Sequence, residues 1–169
     1  MKQDGSEAKD LLERVYRNYG DELYRYALLI LADHQAAEHA LHQAFCKTLK
    51  LGRRAPRIDN LNSYLRTAVR HACYDRIKRK KQDDQIRNPS ARPLLQPVNE
   101  APLDDEERKI LEQAICRLPP DQREVLYMKI YEGKTFKEIG RLIDISAHTA
   151  ASRYRYALEK LKTTLPRSE

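Results

Sequence analysis

Leu11, Leu12, Val15, Tyr19, Leu23, Ala27 and Ile30 recur at helical spacing and predict a first helix, broken or bent at Gly20. A second helix carries Ala37, Ala40, Leu41, Ala44, Phe45 and Leu49 on one side. Glu38, His39, His42, Gln43, Cys46 and Lys47 fall on the other. Gly52 and Pro56 mark a loop before a third helix, "LNSYLRTAVRHACYDRIKRKK". Its apolar stripe is Leu61, Tyr64, Leu65, Ala68, Val69, Ala72 and Ile77, expected to be buried. Thr67, Arg70, His71, Tyr74, Lys78 and Lys81 share the opposite face, where cations and an aromatic ring suit phosphates and stacked bases; an ordinary solvated charged face is the alternative.

The pattern stops at "NPSARPLLQPVNEAP". Four of the eight prolines fall between Pro89 and Pro102, and proline neither donates to a helix nor tolerates a helical predecessor. The fold expected is all-α, with two small helical domains, 1–81 and 108–169, joined by a Pro-rich acidic linker, 82–107. Charge divides the same way. Lys47 to Lys81 holds 12 Lys and Arg against two acids, whereas Gln82 to Glu107 holds two Arg against seven acids.

Helical spacing returns in "TFKEIGRLIDISAHTAASRYRYALEKL". Thr135 with Glu138 three residues on forms a capping box. Gly140 admits close approach of a second helix, and Asp144 sits where a sharp turn needs a left-handed backbone. Ser146 then caps the next helix, in which Ala147, Ala150, Ala151, Tyr154, Leu158 and Leu161 are expected to face inward. His148, Thr149, Ser152, Arg153 and Tyr156 remain outside. Two helices at a tight turn, the second opening with hydrogen-bonding side chains, make a helix-turn-helix suited to the major groove. An ordinary helical hairpin with a polar outside is the alternative.

The net charge of +7 favours a polyanionic partner. The polar start, "MKQDGSEAKD", has no secretory pattern, and the longest apolar run, Tyr26 to Ala32, is too short to cross a bilayer. A soluble, cytoplasmic protein is expected. Three widely spaced cysteines, Cys46, Cys73 and Cys116, argue against a disulfide framework and are expected reduced. No phosphate loop, nucleophile motif or acid pair suggests an enzyme, so no catalytic residue and no cofactor are assigned. His39, His42 and Cys46, at i, i+3 and i+7, offer a metal-binding alternative; scattered surface histidines are the better reading, and no metal is assigned.

Two segments together resemble the small two-domain bacterial sigma factors of the sigma-70 family, the extracytoplasmic-function group. The match is strongest through Leu118-Pro119-Pro120, Gln122-Arg123-Glu124-Val125-Leu126, Glu132-Gly133 and Ser152-Arg153, which resemble the domain that reads the −35 promoter element. The first domain is similar to the promoter-melting module through Ala37-Glu38, Gln43, Phe45 and Lys47, then Leu65, Ala68, Arg70, Asp75 and the closing basic run. Departures cluster there. His39 stands for an Asp, His42-Gln43 for a Gln-Glu pair, Leu49 for an aromatic, Tyr64 for a Trp and His71 for an Asn.

The resemblance implies a sigma factor that carries core RNA polymerase to −35 and −10 elements and starts transcription. Its partners would be core RNA polymerase, promoter DNA and an anti-sigma factor, with no membrane involved. Ser146, His148, Thr149, Ser152, Arg153 and Tyr156 would meet −35 duplex, with Arg153, Ser152, Thr149 and His148 nearest the bases. Arg70, His71, Tyr74, Lys78, Arg79, Lys80 and Lys81 would hold the melted −10 strand. Glu38, His39, His42, Gln43, Phe45 and Lys47 would grip the polymerase clamp, and the acidic strap would mimic nucleic acid in the product channel. The rival functions are a plain helix-turn-helix regulator and a sigma-like decoy that binds an anti-sigma factor.

Overall fold

The computed structural model of the chain describes residues 4–51, 60–82 and 104–165. The loop 52–59 and most of the Pro-rich strap, 83–103, lie outside the described residues, as does the side chain of Lys81. Seven helices and no strand occur among the described residues. The chain divides into two units, Met1–Ser90 and Ala91–Glu169.

In the first unit α1 (Asp4–Leu31), α2 (His34–Leu49) and α3 (Leu61–Gln82) each pack on the other two. Helix α1 runs unbroken through Gly20, contrary to the break its glycine suggested. An interior glycine costs only about 0.5–1 kcal/mol. Leu12 and Val15 before it, and Leu23, Ala27 and Ile30 after it, are all buried and hold both halves of the helix to one core. The chain turns at Ala32, in the left-handed region at φ 52, and Asp33 caps α2 by accepting from the Ala36 amide at 2.9 Å.

The core of α3 is Leu65, Val69, Ala72 and Cys73. Tyr64, in its first turn, is 38% exposed and so departs from the buried stripe. Tyr19 and Leu49 are exposed too, Leu49 because α2 ends there. Thr48 is buried, its hydroxyl donating to the Ala44 carbonyl at 2.9 Å. Arg66 turns inward, its guanidinium 4.5 Å from the Tyr26 ring centre and 3.8 Å from Glu22.

The second unit contains α4 (Asp105–Arg117), α5 (Pro120–Ile130), α6 (Phe136–Ile143) and α7 (Ala147–Thr164). Helix α4 starts inside the acidic run. Asp104 and Glu107 form a reciprocal capping box, and acids in a first turn suit the helix dipole. Pro120 occupies the first turn of α5, where its missing N–H costs nothing. Helix α7 packs on α4, α5 and α6, and Ala114, Ile115, Leu118, Leu126, Ala157 and Leu161 form a shared core. Buried Arg123 ties α5 to the end of α4 by donating to the Cys116 carbonyl at 2.7 Å. Burial pushes the Cys116 thiol pKa up; the Arg123 guanidinium opposes that shift and the Glu112 carboxylate adds to it. None of the three cysteines is in a disulfide.

Candidate nucleic-acid interface

The turn between α6 and α7 is built by four local devices. Thr135 and Glu138 cap α6 reciprocally, the Thr135 amide donating to Glu138 at 2.7 Å. These bonds to the carboxylate hold the Glu138 pKa below its usual value. Asp144 closes α6 in the left-handed region, at φ 56 and ψ 53. Gly140 lies under the turn, where it receives the Ile145 amide on its carbonyl at 2.9 Å. Ser146 caps α7, its Oγ accepting from the Thr149 amide at 2.9 Å and lying 2.8 Å from the Thr149 hydroxyl. The first turn of α7 is thereby fixed before any ligand arrives.

On α7 His148 and Tyr156 are exposed, and Thr149 and Ser152 are half-buried. Ala150 is buried and Ala151 half-buried, but Ala147, expected to face inward, is exposed on the helix's first turn. Arg153 is half-buried, as Thr149 and Ser152 are, but it is tied to α5. Its Nε lies 3.2 Å from a carboxylate oxygen of Asp121, on α5, and its side chain is 27% exposed. Arg155, absent from the sequence assignment, is 64% exposed and has its guanidinium 5.2 Å from the Tyr156 ring centre. The sequence did hold a signal for it. His148, Ser152, Arg155 and Glu159 are spaced by four, three and four, which is one strip of a helix.

The other candidate surface lies on α3. The Arg70 guanidinium sits 4.6 Å from the Tyr74 ring centre, so the stacking aromatic and a cation are already joined. His71 is exposed beside them, Lys78 continues that strip, and Arg79 and Lys80, also exposed, turn toward α2. Between α2 and α3 is a cleft of about 400 Å³, lined by His39 and Gln43 on one side and Asp75, Arg76, Arg79 and Lys80 on the other. Residues assigned separately to polymerase and to DNA thus share one cleft, and Arg76 belongs with them.

The remaining α2 residues divide. Glu38, His42 and Phe45 line a groove of about 550 Å³ against α1, with Leu12, Tyr16 and Tyr24. Phe45 is 9% exposed and meets Tyr16 edge-on, ring centres 5.3 Å apart, so its immediate work is packing. Lys47 is exposed. His39 and His42 line different clefts, and although Cys46 Sγ lies 3.7 Å from both His42 ring nitrogens, no group of three ligands that could hold a metal occurs among the described residues. No described helix is long and apolar enough to cross a membrane.

Residues 15–82 match the family model for sigma-70 region 2, and residues 108–161 match that for sigma-70 region 4. The chain is 26% identical over 160 residues to the RNA polymerase sigma factor CarQ of Myxococcus xanthus, covering 94% of this chain and 91% of that one. It is 27% identical over 156 residues to the ECF RNA polymerase sigma factor SigM of Mycobacterium tuberculosis, covering 90% and 76%. In fold it is similar to the sigma factor RpoE of Bartonella quintana, solved with the anti-sigma factor NepR. That likeness has a TM-score of 0.68 and 21% identity over 92% of this chain and 96% of that one.

Proposed function

The chain belongs to the sigma-70 family, and we propose from that premise that it is a working RNA polymerase sigma factor of the extracytoplasmic-function group, its two units dividing promoter recognition between them. The observation that carries the reading is the presence of both sigma-70 regions, 2 and 4, in one chain.

In this reading α7 enters the −35 major groove. His148, Thr149, Ser152 and Tyr156 meet base edges, while Ser146, already engaged at the cap, lies against a phosphate. Arg70, His71, Tyr74, Lys78, Arg79, Lys80 and Lys81 hold the melted −10 strand. Unpairing a base costs a few kcal/mol. A stacking ring and a row of cations offset part of that cost, and the polymerase supplies the rest. Glu38, His39, His42, Gln43 and Lys47 make the polymerase contact, with Phe45 supporting their helix from beneath. An anti-sigma factor is a further partner, as NepR is for RpoE. Transcription initiation of this kind is a binding function; the chemistry belongs to the polymerase.

A fluorescence titration of the labelled chain with bacterial core RNA polymerase tests the reading. Saturable, tight binding supports it. Binding to duplex DNA with none to core polymerase would reduce the protein to a helix-turn-helix regulator; His39 and His42 in place of acidic and amide side chains favour instead the other rival, a sigma-like decoy that binds an anti-sigma factor.

A further inference from the structure

We propose that Arg155, and not Arg153, is the cation that α7 offers to duplex DNA, and that Arg153 is a positioning residue holding α7 to α5 through Asp121. The proposal rests on the duplex-reading role of α7 argued above. In the Ser152-Arg153 pair the arginine follows directly on a residue of the open strip, so sequence alone assigns it outward. One residue is a rotation of about 100° on a helix. That rotation carries Arg153 toward α5, where Nε meets Asp121 at 3.2 Å with both side chains well under half exposed. Asp121 is itself held in the first turn of α5, where the helix dipole favours a carboxylate. Moving Arg153 to a base would leave that carboxylate without this partner.

Arg155 has no comparable tie. It is 64% exposed, and its Nε lies 3.9 Å from Glu159 one turn on, a separation typical of a weak surface pair. A phosphate or a guanine edge would compete well for such a guanidinium. Tyr156, 48% exposed, lies beneath it and limits its sweep. Arg155 also shields Glu159, which shares the strip; without the arginine a bare carboxylate would face the DNA.

The test is anisotropy of a labelled, random-sequence DNA duplex with the full chain over a range of salt, alongside thermal melting. Arg155→Ala should weaken binding about tenfold and reduce the salt slope by about one, with melting unchanged. Arg153→Ala should lower the melting temperature. Arg153→Lys, which keeps a cation opposite Asp121, should restore both melting and duplex binding relative to Arg153→Ala. A silent Arg155→Ala, an Arg153→Ala that melts like wild type, or an Arg153→Lys protein that melts like wild type and still fails to bind, would overturn the assignment. A wild-type chain that binds no duplex would overturn the duplex-reading role and the assignment with it.

Discussion

Gly140 and Ile145 approach so closely that a β-carbon on residue 140 would lie 2.6 Å from the Ile145 carbonyl oxygen. The obstacle is backbone, at the point where α6 turns into α7, so it cannot rotate aside. Gly140→Ala should therefore destabilise the second unit by about 1–3 kcal/mol, the usual range for overpacking. The helix-propensity gain of at most about 1 kcal/mol does not cover that. Urea denaturation of the full chain, followed by helical circular dichroism, measures the shift.

Gly20 gives the opposite sign. A β-carbon there would rest against the Tyr16 ring at 3.5 Å, ordinary contact, within an unbroken helix. Gly20→Ala should raise stability by about 0.5–1 kcal/mol. The same denaturation experiment distinguishes the two glycines.

Arg123→Met should cost about 1–3 kcal/mol. It takes a buried donor away from the Cys116 carbonyl, and methionine replaces the volume but not the bond. A lowered urea midpoint checks it.

Glu138 predicts a pH dependence of the α6 cap. Its folded pKa is depressed by accepting from Thr135, first the amide and then the hydroxyl. The stabilisation is thus present above the unfolded glutamate pKa, near 4.5, and is lost as pH falls through the lower folded value. Glu138→Gln should melt lower than wild type at neutral pH, and the gap should close in acid. A gap that stays constant from pH 7 to below pH 4 would show that the charge contributes nothing.

On the α3 surface, Arg79→Ala or Lys80→Ala should weaken transcription from every promoter similarly and flatten the salt dependence by about one. Both cations are exposed and line the α2–α3 cleft, so contact with the uniform phosphate backbone is the role they suit. Transcription from two unrelated promoters at several salt concentrations separates this from base reading.

The turn was legible in the sequence because its determinants are local. Thr135 with Glu138, Gly140, Asp144 and Ser146 each act within a few residues, and each takes the conformation its chemistry demands. Arg153 was not legible, since its partner Asp121 stands on another helix and no spacing within α7 reveals it. Phe45 was legible as an apolar-face residue by its spacing, and it packs edge-on against Tyr16; only the resemblance placed it at the polymerase clamp. Gly20 reads as a helix breaker by propensity, but burial on both sides of it decides the outcome. The α2–α3 cleft was hidden because its walls come from two helices read separately.

The central claim is that this chain directs polymerase to promoters. Its most direct test is to add the purified protein to bacterial core RNA polymerase on a library of randomised upstream sequences, then map the transcript starts. The account predicts defined starts that share two upstream elements near −35 and −10. Starts no different from those of core polymerase alone would contradict it.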